Sequence, residues 1–129
     1  YPFLYASRFG RGDSLRIAVE SPTYACAAGG SIAVVDGTAT LSEDRHEIVL
    51  FLVNRGIEQE QSCSIALVNG TTVSVEACVS LCGFSADSVN TVNVSPVFPR
   101  QHDDYALCEG VLTIMLPKFS WNMVRVKIA

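Results

Sequence analysis

The segment His46-Glu47-Ile48-Val49-Leu50-Phe51-Leu52-Val53-Asn54-Arg55 holds an unbroken apolar run from Ile48 to Val53. Periodicity alone does not separate a buried strand from a buried helix segment in such a run. Its short length, its β-branched and aromatic content and the polar residues at both ends select a strand. With no polar position on either face, that strand is central and covered on both sides. Asn54-Arg55-Gly56 turns the chain at its end.

The flanking segments supply the cover. From Ser14 onward, Leu15, Ile17 and Val19 alternate with Arg16, Ala18 and Glu20, which describes a strand with one wet face ended by Ser21-Pro22. Tyr24 to Ala28 is a short extended piece closed by Gly29-Gly30. Ser31 to Leu41 is apolar and β-branched, with Asp36-Gly37 marking a bulge or kink. The polar turn Ser42–Arg45 brings the central strand back antiparallel to Ala39–Leu41. Further on, Cys63, Ile65 and Leu67 share a face, and Asn69-Gly70 is a turn signal. Val73, Val75, Ala77, Val79 and Leu81 then alternate with polar or small residues without a slip. Val111–Leu116 and Trp121–Ile128, joined through Pro117-Lys118-Phe119, describe a C-terminal hairpin with Val124, Val126 and Ile128 facing in. Gly83 to Glu109 lacks a regular pattern; a loop of that length is functional, covers an interface, or is partly disordered.

At the start of the chain, Phe3, Leu4, Tyr5 and Phe9 fall at near-helical spacing, with Gly10 and Gly12 available as a stop. About eight to ten strands with frequent turns make the fold all-β, an antiparallel, jelly-roll-like β-sandwich with one short N-terminal helix. The connections are too short for parallel βαβ units.

Composition narrows the partners. The 129 residues suit one domain, and 49% apolar against 17% charged residues suits a filled core. A net charge of −4 without a Lys/Arg cluster argues against nucleic acid. No apolar run reaches the roughly 18 residues of a membrane helix. The chain begins at Tyr1 without an initiator Met or a basic-then-apolar leader, which suggests a mature chain or a piece of a longer one. Five cysteines, an odd count without a CxxC pair, fit neither a zinc site nor a redox motif. They are expected as free thiols in or near the core, which points to a reducing, cytoplasmic location.

The residues carry no signature of catalysis. The thirteen Asp and Glu fall in turns or on wet strand faces, with no two marked as the buried pair a glycosidase needs. His102-Asp103-Asp104 would point apart on an extended segment, and no G-x-S-x-G, Walker or dinucleotide motif occurs. No catalytic residue, metal or cofactor is therefore expected. Asn69-Gly70-Thr71 and Asn93-Val94-Ser95 match the glycosylation pattern but fit a turn and the long loop. Arg11-Gly12-Asp13 spells an adhesive tripeptide, but a three-residue match is weak and a polar turn between helix and strand explains it. Trp121, outward by parity with Met123 and Arg125, and Tyr105 are the candidate sugar contacts. They support the alternative of an autonomous carbohydrate-binding module.

The order of segments resembles the C-terminal domain of family 51 glycoside hydrolases, the α-L-arabinofuranosidases. The resemblance is carried by Glu20–Tyr24, Val34–Leu41, the central strand with its Val53-Asn54-Arg55 ending, Val89-Asn90-Thr91, Val94–Val97 and Leu116–Trp121. It spans nearly the whole chain. It implies a retaining enzyme acting on arabinose side chains of hemicellulose, with both catalytic glutamates on a (β/α)8 barrel that precedes this domain. Residues 1–13 would then be the end of the last barrel helix and a linker, and residues 14–129 the sandwich. Phe3, Leu4, Tyr5 and Phe9 become the expected interface with the barrel. The resemblance also implies a sandwich completed by sequence from before the barrel, leaving an unpaired edge that invites self-association.

Overall fold

A computed structural model describes all 129 residues. Helix α1 (Pro2–Phe9) leads into eleven strands: β1 (Asp13–Leu15), β2 (Thr23–Ala25), β3 (Ser31–Ala33), β4 (Val35–Leu41), β5 (Glu47–Asn54), β6 (Gln61–Ile65), β7 (Thr72–Leu81), β8 (Arg100–Gln101), β9 (Tyr105–Cys108), β10 (Val111–Leu116) and β11 (Ser120–Ile128). A six-stranded sheet of order β1-β4-β5-β11-β7-β8 faces a three-stranded sheet of order β6-β10-β9, and β2-β3 form a separate hairpin. Every pairing is antiparallel. The β-sandwich expected from the sequence is the observed architecture.

β5 is an inner strand of the large sheet, hydrogen-bonded to β4 and β11. Ile48, Leu50 and Leu52 enter the core, where they meet Val124 and Val126 of β11 and Leu112, Ile114 and Leu116 of β10. The three β10 side chains are fully buried, each contributing about 1.5–3 kcal/mol by its removal from water. On the opposite face Val49 is also buried while Phe51 is partly so, so both faces of β5 are largely dry.

Five local expectations are corrected. Val111–Leu116 and Trp121–Ile128 do not form a hairpin: β10 pairs with β6 and β9, β11 with β5 and β7. The Pro117–Phe119 turn crosses from one sheet to the other. β7 does slip. Its register to β11 shifts between Arg125 and Val126 and again between Lys127 and Ile128, leaving Glu76 and Val73 as extra residues. Each extra residue reverses the parity of the strand beyond it. Thr72, Val75, Cys78 and Ser80 therefore lie opposite the core-facing Ile128, Val126, Val124 and Asn122, and Val73 is 55% exposed.

The break in Ser31–Leu41 falls at Val34, not at Asp36-Gly37, which pair in register with Val53 and Leu52. Gly37 is there for space: a Cβ would come within 2.6 Å of both the Phe51 carbonyl oxygen and Leu52 Cδ2. Finally, the strand expected from Ser14 stops at Leu15, and residues 16–22 run unpaired apart from single contacts such as Val34 N–H to the Pro22 carbonyl. They border a cleft instead of a neighbouring strand. Part of the long loop is regular after all, as β8 and β9.

Candidate functional site

Two surfaces and one cleft carry what this domain offers to other molecules. The first surface is the outer face of the large sheet. Glu47, Val49 and Phe51 of β5 lie beside Lys127, Arg125 and Met123 of β11 on this face. Pro2 starts α1 where its missing N–H costs nothing, and Tyr5 and Phe9, four apart, share one side. That side lies on the sheet. Tyr5 stacks on Trp121 (centroids 6.1 Å apart) and on Phe9 (5.9 Å), and Trp121 stacks on Phe51 (5.8 Å). The Arg125 guanidinium sits 4.6 Å from the Phe9 ring centre and is held by a bidentate pair with Glu47 (Nε–Oε1 3.0 Å, Nη2–Oε2 3.2 Å). Gly10 lets the chain leave closely: a Cβ there would come within 2.7 Å of the Ala6 carbonyl oxygen and 3.1 Å of Phe51.

The four helix residues expected as one interface thus divide. Tyr5 and Phe9 belong to the domain's own packing, while Phe3 is 90% and Leu4 50% exposed. The two sugar candidates are not brought together either. Trp121 is outward as its parity indicated, but Tyr5 lies against it, and Tyr105 is on β9 of the other sheet. Arg11-Gly12-Asp13 does not project freely, because Asp13 pairs with Leu41 in the sheet and its carboxylate meets Arg45 at 3.2 Å.

The second surface is the end of the sandwich where β5, β7 and β10 finish and β11 starts. A buried polar network anchors it. The Asn54 amide donates to the carbonyls of Leu116 (3.2 Å), Pro117 (3.1 Å) and Gln59 (3.3 Å), and its oxygen accepts from Gly56 N–H (2.9 Å). Ser120 Oγ donates to the Pro117 carbonyl and accepts from Asn122 Nδ2, while Ser80 Oγ donates to Asn122 Oδ1. The sequence places Asn54 at the end of the central strand and in the turn after it, with no sign of a buried network. The available signal was Asn122, a polar residue sharing parity with the core-facing Val124 and Val126. Phe119 is held at φ 47° by its N–H donating to the Gly56 carbonyl (2.7 Å), and its ring meets Phe84 edge-on at 6.1 Å. Beside them lies a hollow of about 530 Å³ lined by Ile57, Phe84, Phe119 and Lys118.

The cleft, about 650 Å³, opens along β6 between the two sheets and reaches Ile48, Leu50 and Leu52 of the core. Its walls are residues 15–22 on one side and 61–69 on the other. β6 pairs only with β10, so its other edge is unpaired along this opening.

Several charged side chains are engaged structurally. Asp36 faces Arg55, Glu47 faces Arg125 and Glu76 faces Lys127. His102 Nε2 bonds the Met115 carbonyl at 2.8 Å, tying the β8–β9 connection to β10. No three of the His, Cys, Asp and Glu side chains come together as a metal would require. All five cysteines are free; Cys78 lies in the core and Cys63 packs against it. Burial pushes the Cys78 thiol up to about 11, with Asp103 adding to the shift, and burial alone raises Cys63. No helix is long and apolar enough to cross a membrane.

No protein-family model matches the chain. It is 29% identical over 130 residues to an intracellular exo-α-(1→5)-L-arabinofuranosidase of Acetivibrio thermocellus, covering 98% of this chain and 25% of the relative. The enzyme of the same name from Streptomyces lividans is 32% identical over 126 residues, covering 97% and 19%. A family 51 α-L-arabinofuranosidase from Bifidobacterium longum superposes with a TM-score of 0.86 at 28% identity, over 98% of this chain and 25% of that one. The family 51 arabinofuranosidase of Xanthomonas axonopodis pv. citri shares the fold, with a TM-score of 0.76 at 18% identity over 88% and 22%. The chain thus spans about a quarter or less of the length of the curated relatives it matches. By sequence and by fold it is a C-terminal β-sandwich domain of the family 51 glycoside hydrolases.

Proposed function

We propose that the chain is the non-catalytic C-terminal domain of an α-L-arabinofuranosidase, a retaining hydrolase that removes arabinose from hemicellulose side chains. The observation that carries this is the extent of the match: 98% of this chain against a quarter of an arabinofuranosidase. The chemistry then belongs to the other three quarters, a (β/α)8 barrel of the same polypeptide that meets the arabinose-containing poly- or oligosaccharide. Residues 1–13 are the end of the last barrel helix and its linker, with Asp13 already joining the sheet in β1; residues 14–129 buttress the barrel. The bare side of α1, with Phe3 and Leu4, supports this partner, since side chains that apolar are seldom left in water beside a packed face. The cleft supports a second contact, in which an extended segment of the same polypeptide pairs with β6 and closes the core. Without that segment the edge is free for a second copy.

A cytoplasmic location is supported by the free thiols and by relatives whose names call them intracellular. The test is hydrolysis of an aryl α-L-arabinofuranoside. The parent polypeptide should release the aryl alcohol and the 129-residue chain should not. Turnover by the chain alone would overturn the reading.

A further inference from the structure

The hollow at the end of the sandwich has a geometric relation to α1. Tyr5 lies against Trp121 and Phe9 against Arg125, so α1 runs alongside β11 in the same direction. The helix N-terminus therefore lies towards the β10–β11 turn, the end at which the hollow opens. The hollow draws on three connections: Ile57 after β5, Phe84 after β7, and Lys118 and Phe119 between β10 and β11. Ile57 is 70% exposed, and Lys118 is exposed without an ion-pair partner. The floor is rigid, because Phe119 is pinned to Gly56 and the turn before it to Asn54. Four apolar side chains, Ile57, Phe84, Ala86 and Phe119, around an open hollow with a cation at its rim make a candidate docking surface.

We infer that this hollow receives an apolar side chain, flanked by a carboxylate for Lys118, from the polypeptide that precedes Tyr1. The inference rests on the reading of the chain as one domain of a longer enzyme. The occupant is fixed by chain direction: the polypeptide ahead of α1 leaves the domain at the end where Ile57, Phe84 and Phe119 lie. The relatives, about four times as long as the stretch they share with this chain, have the material to fill it. Phe3 and Leu4, on the helix turn that this polypeptide enters, are themselves left exposed.

The experiment is thiol labelling in the parent polypeptide, read by peptide mass spectrometry. Ile57→Cys probes the hollow and Val92→Cys, fully exposed and bordering neither the hollow nor the cleft, is the control. Ile57→Cys should label at least an order of magnitude more slowly than Val92→Cys. Equal labelling overturns the inference, and does so without touching the functional reading if that same enzyme still hydrolyses the aryl arabinofuranoside. Protection that appears only as protein concentration rises also overturns it, in favour of a second copy. Should the variant not fold, oxidative footprinting decides: Phe84 and Phe119 should be oxidised less in the unaltered enzyme than in the 129-residue chain, and equal oxidation overturns the inference.

Discussion

Asn54 Nδ2 reaches the Leu116 carbonyl at 3.2 Å, and that bond joins the last residue of β5 in the large sheet to the last of β10 in the small one. The same amide also serves the carbonyls of Pro117 and Gln59, and Asn54 is 1% exposed. Asn54→Ala would strand these acceptors away from water, where an unsatisfied buried group costs about 1–3 kcal/mol. The expected loss is about 2–4 kcal/mol, seen as a lower urea midpoint with an unchanged slope. Asn54→Asp should be at least as damaging, because it sets a carboxylate against carbonyl oxygens. A loss below about 1 kcal/mol would mean the crossover is held elsewhere.

Trp121 is the only tryptophan, so its emission reports directly on α1. Tyr5→Ala should shift that emission to the red and destabilise the domain by about 1–3 kcal/mol, from lost stacking and lost burial. Phe3→Ala should do neither in this chain, since Phe3 touches little of it. Identical spectra for the two variants would show that α1 is not docked.

What the sequence made legible is what local pattern controls. Ile48–Val53 could be read as a doubly covered strand because no polar residue interrupts it, and the parity of Trp121 with Met123 gave its face correctly. The partner of a strand is not written locally. Leu116-Pro117-Lys118-Phe119 would suit a hairpin as well as a crossover, and the choice is made by Asn54, some sixty residues away, through its bonds to Leu116 and Pro117. The β7 bulges were hidden for a different reason. Val73, Ala77 and Glu76 continue an alternation that the pairing with β11 does not follow, so the sequence looks more regular than the ladder. The docking of Tyr5 on Trp121 joins residues at opposite ends of the chain, and no spacing records it.

Cys78 gives a pH signature. Its thiol rises from 9.0 to about 11 in the folded domain, through burial first and Asp103 second. A folded-state value above the unfolded one means that stability is fully present below about pH 9 and is lost as pH climbs through 11. Two units correspond to roughly 3 kcal/mol at the top of that window. Unfolding free energy should therefore fall between about pH 9 and 10.5, and Cys78→Ala, though less stable at neutral pH, should fall less steeply. Parallel slopes for the two proteins would assign the alkaline loss to other groups.

The unpaired edge of β6 makes the last prediction. Strands β5 and β11 are bonded on both sides, whereas Gln61–Ile65 has a partner only in β10. Hydrogen exchange of the 129-residue chain should show Leu50 and Val124 protected to the level of global unfolding, with every second amide of Gln61–Ile65 exchanging far faster. Because the cleft beside that edge reaches the core, a strand that enters it buries apolar side chains as well as pairing backbone. Exchange along β6 should therefore slow sharply in the longer enzyme. In the isolated chain it should slow only as concentration brings a second copy to the edge, and sedimentation at the same concentrations would register the dimer. Uniform protection of β6 in a monomer would mean that residues 16–22 already cover the edge, and the cleft would then be a groove without an absent strand.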